Sequence, residues 1–136
     1  MRYLGLDLGE KTLGISISNG IIATNYKTIR HNLEYDRLIN EVNDIVNNER
    51  IDKIVLGFPK NMNNSIGYRA EITQEFQKKL MAKTGKEVIL EDERLTSKVA
   101  NDFMIKEDIS RKKRKERVDG MASVIILQSY LDRKVD

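Results

Sequence analysis

The chain has 136 residues, of which 40% are hydrophobic and 33% charged, proportions typical of one globular domain, predicted here over residues 1–136. It has no cysteine and one histidine, His31. A disulfide framework, a thiolate nucleophile and a Cys-ligated zinc site are therefore excluded, and a histidine-based triad is disfavoured. His31 stands in a polar stretch and is expected at the surface. No signal peptide or membrane span is recognisable, so we expect a cytoplasmic protein with no membrane association.

The positive charge is concentrated in one short segment. The chain has 24 Lys and Arg residues against 21 Asp and Glu residues, a net charge of +3. Residues 111–117, here called the basic segment, read RKKRKER and have a charge of +5, so the other 129 residues sum to −2. Such a concentration indicates a polyanionic partner, although a solvated loop can have the same composition.

Three strands open the predicted fold. Residues 3–8 are β-like, and residues 13–18 alternate between apolar and polar with a period of two. Asn19-Gly20 is a strong hairpin signal and predicts a returning strand over residues 21–28.

Helices and strands alternate in the rest of the chain. Helical spacing of apolar residues predicts the helices, and short apolar runs predict the strands. The order of all elements indicates a single α/β domain in which three antiparallel strands are followed by βαβ units, with helices on both faces of a mixed sheet. In chain order, the later elements are a helix over residues 35–49, a strand over 52–58, a helix over 68–84, a strand over 87–91, a short helix over 96–104 and, after a basic loop, a last helix over about 117–133.

Asp7 is the first of three candidate acids. It lies near the end of the first strand and precedes Gly9, where the backbone can approach a ligand closely. Similar aspartate–glycine turns occur in sugar-kinase and actin-like ATPases, in RNase H-like nucleases and in turns with no function. The ATPases need two such lobes, and 136 residues supply only one.

Glu93 and Asp119 are the other two candidates. Glu93 follows the fifth strand, where a polar loop before a helix is the simpler interpretation. Asp119 stands in the predicted first turn of the last helix, where the helix dipole favours an acid by about 0.3–1 kcal/mol. If the three carboxylates converge at one end of the sheet, a divalent cation would relieve their repulsion, and oxygen ligands favour Mg²⁺ or Mn²⁺. Two such ions can activate water and stabilise both reacting oxygens of a phosphodiester.

Four segments in order resemble one known family across essentially the whole chain. They are residues 4–9 (LGLDLG) with 14–16 (GIS), 54–62 (IVLGFPKNM), 92–97 (DERLTS) and 118–131 (VDGMASVIILQSYL). At these positions the chain resembles the YqgF (RuvX) family of RNase H-like proteins, which is described as Holliday junction resolvase-like and is linked to processing of pre-16S rRNA. The resemblance implies an RNase H-like five-stranded fold and nuclease activity.

The resemblance also implies roles for single residues. Asp7, Glu93 and Asp119 would be the catalytic acids that bind Mg²⁺ or Mn²⁺, with Asp92 as an alternative to Glu93 if the fifth strand lies at the sheet edge. The loop beside them would contain Gly9, Lys60 and Asn61.

The basic segment gains a role as a nucleic-acid contact, because it runs directly into the helix that carries Asp119. The expected substrate is precursor rRNA at the 5′ end of pre-16S rRNA. Branched DNA, cleaved by a Holliday junction resolvase, is one alternative, and a catalytically inactive nucleic-acid-binding protein is another. The chain would act as a monomer or a weak homodimer. The side chains expected to hold phosphates are Arg94, Arg111, Lys112, Lys113, Arg114, Lys115 and Arg117.

Overall fold

Five strands form one mixed sheet, and helices pack against both of its faces. The computed structural model describes residues 1–59, 67–92 and 111–134, and for residues 111–120 it describes the backbone alone. The predicted short helix over residues 96–104 lies outside these ranges. The elements are β1 (Tyr3–Leu8), β2 (Thr12–Ser18), β3 (Ala23–Arg30), α1 (Tyr35–Asn48), β4 (Lys53–Phe58), α2 (Tyr68–Thr84), β5 (Glu87–Asp92) and α3 (Arg111–Arg133).

The sheet has the strand order β3-β2-β1-β4-β5. Strand β2 pairs antiparallel with both β1 and β3, whereas β4 pairs parallel with both β1 and β5. This is the predicted arrangement of an antiparallel hairpin sheet extended by βαβ units. It places β1 at the centre and β5 at an edge.

The β2–β3 turn explains why the third strand starts later than predicted. The pairing of Ser18 with Ala23 closes a loop over residues 19–22, and Gly20 adopts a φ of 115° in it, a conformation that favours glycine. Ile21 and Ile22 therefore belong to the turn, where both side chains are exposed. The predicted strand over residues 21–28 is shifted by two residues.

The two faces of the sheet have separate hydrophobic cores. Apolar side chains of β1, β2 and β4 pack against α1 and α2 on one face. On the other face, Tyr3 of β1 and Val55 of β4 pack against Ile126 and Leu127 of α3. Because successive side chains of a strand point to opposite faces, Asp7 shares the α3 face with Tyr3.

Helix α3 begins at Arg111, six residues before the predicted start at Arg117. The basic segment is therefore helical, and the prediction of a basic loop is wrong. Lys, Arg and Glu are good helix formers, and residues 111–117 contain no glycine or proline to end a helix. Asp119 is consequently the ninth residue of α3, so the favourable interaction of an acid with a first helical turn does not explain its presence.

None of the helices in the ranges given above combines the length and the hydropathy that a membrane span requires.

Candidate active site

Asp7 lies near the carboxyl end of β1, in the middle of the sheet. β1 is bordered by β2 and β4, so strand pairing holds its backbone on both sides. The partner of Asp7 in β2 is Gly14, which contributes no side chain next to the carboxylate. Asp7 is half-buried.

An arginine of α2 holds the backbone that follows Asp7. Arg69 lies in the first turn of α2, and its Nη2 donates a hydrogen bond to the Leu8 carbonyl oxygen at 2.8 Å. Its Nη1 lies 3.9 Å from a carboxylate oxygen of Glu10. The guanidinium therefore joins the start of α2 to the end of β1, directly beside the candidate acid.

His31 holds the next residue of the same turn and is 8% exposed, so the prediction of a surface position is wrong. Its Nδ1 accepts a hydrogen bond from the Leu33 N–H at 3.1 Å. Nε2 is therefore the protonated nitrogen, and it donates to the Gly9 carbonyl oxygen at 2.9 Å. The polar neighbours of His31 in the sequence gave no sign of burial, because the Gly9 partner lies 22 residues earlier.

A pair of buried serines sets the position of α3 on β1. The Ser123 Oγ lies 3.0 Å from both the Gly5 carbonyl oxygen and the Ser16 Oγ. The Ser16 hydroxyl donates to the Ser123 carbonyl oxygen at 2.9 Å. Gly5 makes this close approach possible, since a Cβ at that position would lie 2.8 Å from the Cβ of Leu127.

This seating brings Asp119 and Asp7 to the same end of the sheet. Tyr130, near the end of α3, packs beside the first residue of β1 with a ring-centroid distance of 5.9 Å, and Ser123 contacts Gly5 farther along the strand. Helix α3 therefore runs antiparallel to β1. Asp119 precedes Ser123 by about 6 Å along the helix, and Asp7 follows Gly5 by about 7 Å along the strand.

The register of β5 argues against Asp92 as the partner of Asp7. Asp92 is the last residue of this edge strand and pairs with Phe58. Alternation along β4 places Phe58 and Leu56 on the face that α1 and α2 cover. Asp92 is therefore on the opposite face of the sheet from Asp7.

Glu91 is a buried carboxylate that the sequence patterns did not single out. It pairs with Gly57 on the α3 face and is 6% exposed. Its Oε1 accepts a hydrogen bond from Arg133 Nη2 at 2.6 Å, which raises the pKa of Arg133. Its Oε2 is buried and has no hydrogen-bond partner among the residues described. The one feature of the sequence that could have indicated a special role for Glu91 is the presence of an acid within the apolar pattern of β5.

The other predicted site residues are described in part or not at all. The basic segment is placed by its backbone, on the first two turns of α3 and before Asp119. Within the described part of the chain, no three His, Cys, Asp or Glu side chains are arranged to hold a metal ion. The predicted residues that lie outside the described ranges are Lys60, Asn61, Glu93 and Arg94.

The sequence matches one known family over nearly its whole length. The sequence model of the RuvX family, described as Holliday junction resolvase, matches residues 1–133. The chain belongs to the RuvX family. The resemblance carried by the four sequence segments is confirmed.

Two relatives of this RuvX-family chain are similar along nearly its whole length, and both are named "Putative pre-16S rRNA nuclease". The Clostridium tetani (strain Massachusetts / E88) protein is 49% identical over 135 residues, which cover 97% of this chain and 96% of the relative. The Bacillus subtilis (strain 168) protein is 48% identical over 135 residues, which cover 97% and 98%.

A solved structure of T. thermophilus RuvC in complex with Holliday junction substrate has the same fold. Its TM-score is 0.62 at 14% identity, and the match covers 97% of the RuvX-family chain and 95% of RuvC. At this identity the likeness shows the fold, which is RNase H-like, as the sequence resemblance implied.

Proposed function

We propose that this chain is a single-domain, cytoplasmic, divalent-metal-dependent nuclease that hydrolyses phosphodiester bonds at the 5′ end of pre-16S rRNA. The observation that carries the proposal is the seating of α3 on β1 through Ser123 and Gly5. It brings the positions of Asp7 and Asp119 to one end of the sheet in a chain of the RuvX family. The near full-length similarity to relatives named for pre-16S rRNA favours RNA as the substrate.

The chemistry of the candidate ligands fits Mg²⁺ or Mn²⁺. Asp7, Glu93 and Asp119 offer carboxylate oxygens, which these hard cations prefer. The chain has no cysteine, and both ring nitrogens of its one histidine are already engaged with the backbone. When bound, two such ions supply an activated water and stabilise the attacking and leaving oxygens of the phosphodiester.

The chain's own residues hold the acids and orient the substrate. Arg69 and His31 fix the two carbonyl groups that follow Asp7, and Ser123 fixes the turn of α3 that follows Asp119. Such supporting contacts keep ligands in place before the substrate arrives. The basic segment continues directly into Asp119 on the same helix, so its side chains would hold phosphates next to the scissile bond.

The Asp7→Asn variant tests the metal site, because asparagine keeps the size of the side chain and removes its charge. Metal affinity depends on anionic ligands, so we expect Asp7→Asn to lose Mn²⁺-dependent cleavage by about 100-fold or more. Wild type and variant are assayed on a precursor 16S rRNA fragment with its 5′ leader and on a four-way DNA junction. Asp44→Asn, at an exposed position of α1, is the matched control and retains full activity.

The same assay separates the alternatives. Equal activity of wild type and Asp7→Asn overturns the metal-site assignment. Cleavage of the four-way junction without cleavage of the RNA fragment favours the resolvase, the function in the family's description. Binding of either substrate without cleavage in any divalent metal favours an inactive nucleic-acid-binding protein. We propose a monomer or weak homodimer, which sedimentation of the purified chain tests.

A further inference from the structure

An ion pair joins the edge strand β5 to the last residue of α3. Arg133 Nη2 lies 2.6 Å from Glu91 Oε1, and 42 residues of sequence separate the two partners. As an edge strand, β5 is paired in the sheet with β4 alone. The Glu91–Arg133 pair is therefore a side-chain link between β5 and the helix that covers its face.

The burial of the two partners differs. The side chain of Glu91 is 8% exposed, whereas that of Arg133 is 63% exposed. A buried carboxylate is costly unless a partner compensates its charge, and Arg133 provides that compensation from the solvent side. The guanidinium also lies 6.0 Å from the centre of the ring of Tyr130, which is on the same helix.

The partner of Glu91 lies at the opposite end of α3 from the proposed metal ligand Asp119. Arg133 follows Asp119 by 14 residues on α3, or about 21 Å along the helix axis. Glu91 Oε1 is thus bonded to the end of α3 that lies away from Asp119. In this arrangement Glu91 attaches β5 to the end of α3.

We propose that Arg133 is a positioning residue for the metal site. Glu91 stands two residues before Glu93 in the sequence, and Arg133 stands on the helix that carries Asp119. The ion pair therefore braces the strand that precedes one proposed ligand against the helix that carries another. It also neutralises a further carboxylate on the face of the sheet that carries Asp7. This inference rests on the proposed function, because it concerns the same metal ligands.

The test compares Arg133→Ala with Arg37→Ala. Arg37 is a matched control: it is an arginine on α1 with ion pairs of 3.1 and 3.4 Å to Glu41 and Glu34, and its side chain is 45% exposed. The Mn²⁺ dissociation constant is measured by titration calorimetry at a temperature at which circular dichroism shows each variant to be folded. We expect Arg133→Ala to weaken Mn²⁺ binding by about 10-fold, as loss of a supporting contact commonly does, and Arg37→Ala to leave it unchanged.

Two further variants keep the test decisive. Arg133→Lys retains the charge without the planar fork of the guanidinium, so it recovers part of the affinity. Arg133→Ala can fail to fold, because it leaves a buried charge without a partner. The double variant Glu91→Gln/Arg133→Ala removes that charge while the brace is still absent, so its Mn²⁺ affinity stays below that of wild type.

The outcomes for the two proposals differ. Wild-type affinity in Arg133→Ala or in the double variant overturns the positioning role and leaves the metal site intact. A wild-type chain that binds no Mn²⁺ overturns the proposed metal site and the positioning role together. Reduced affinity in both variants, with Arg37→Ala unchanged, supports the brace.

Discussion

The hydroxyl groups of Ser16 and Ser123 are both buried at the contact between the sheet and α3. Replacing one of them by alanine removes the contact between the two hydroxyl groups, while the remaining hydroxyl keeps a backbone carbonyl as its partner. Loss of such a hydrogen bond costs about 0.5–1.5 kcal/mol, and each single variant loses this same shared contact. Replacing both removes the two polar groups together. We therefore expect the double variant Ser16→Ala/Ser123→Ala to be more stable than the sum of the single losses predicts, with a coupling of about 0.5 kcal/mol or more.

Urea denaturation of wild type, the two single variants and the double variant measures this coupling. Strictly additive losses would show that the hydroxyl groups stabilise the fold independently. The buried Thr73 is a control outside this contact, because its hydroxyl donates to the Arg69 carbonyl oxygen within α2. Thr73→Ala combined with Ser16→Ala is expected to be additive.

Single residues differ in how far the sequence reveals their roles. Asp7 could be proposed as a candidate because a strand and a glycine-containing turn surround it in the sequence itself, and its catalytic role also stays a prediction. The burial of His31 and Glu91 could not, because their partners Gly9 and Arg133 lie 22 and 42 residues away. The roles of Glu93 and Asp119 stay predictions, since the described structure places only the backbone of Asp119.

Helix α3 makes a close contact with β1 at Gly5. A Cβ at Gly5 would overlap the Ser16 hydroxyl and lie 2.8 Å from the Leu127 Cβ. We therefore expect Gly5→Ala to push α3 away from β1, to destabilise the fold by about 1–3 kcal/mol, and to weaken Mn²⁺ binding by moving Asp119 away from Asp7. Thermal unfolding and Mn²⁺ titration of the variant check the two effects.

Gly85→Ala is the control for this contact. Gly85 ends α2 with a φ of 71°, and a Cβ there would have no atom within 4 Å. The substitution introduces backbone strain of about 1–2 kcal/mol without touching the contact between β1 and α3. Its stability falls while its Mn²⁺ affinity is retained. An equal loss of affinity in Gly85→Ala would mean that the effect of Gly5→Ala reflects general destabilisation.

The element boundaries show what a local pattern can establish. The helix predicted over residues 35–49 is α1 to within one residue, because its apolar spacing and its core face coincide. The start of α3 was predicted six residues too late, because a high density of charge was interpreted as a loop. Charge density by itself does not oppose a helix when the residues are good helix formers.

At the scale of the whole molecule, charge is divided between the first turns of α3 and the rest of the chain. If the basic segment contacts phosphates, log affinity falls with log salt concentration. Removing one phosphate contact should make the slope of that line shallower by about 0.7–0.9. We expect Lys112, Lys113 and Lys115 changed together to glutamine to reduce the magnitude of that slope by about 2 to 3. Glutamine is a good helix former, so α3 is retained.

Lys78, Lys79 and Lys83 provide the matched control, since they are three exposed lysines on α2. Changing them to glutamine removes the same charge from another surface. Binding of an RNA fragment is measured by filter retention over a range of salt concentrations. An unchanged slope in the basic-segment variant, or an equal change in the control, would contradict a specific phosphate contact at residues 111–117.

The directions of the strands followed from the sequence because their connections allow few arrangements. Hairpins make the first three strands antiparallel, and helical crossovers make the later pairs parallel. The residues that contact each other between the sheet and α3 could not be derived in this way. The contact of Ser123 with Gly5 depends on the position of α3 along β1. Many side chains together determine that position.

The uninterrupted course of α3 has a consequence for the choice of the bond to be cut. Arg111 and Asp119 are eight residues apart on one helix, a separation of about 12 Å, and Arg117 is about 3 Å from Asp119 along the axis. Under the proposed function, phosphates held along these turns stand at set intervals from the catalytic acid. The distance along α3 between the phosphate contacts and Asp119 would then help to determine which phosphodiester bond is cut.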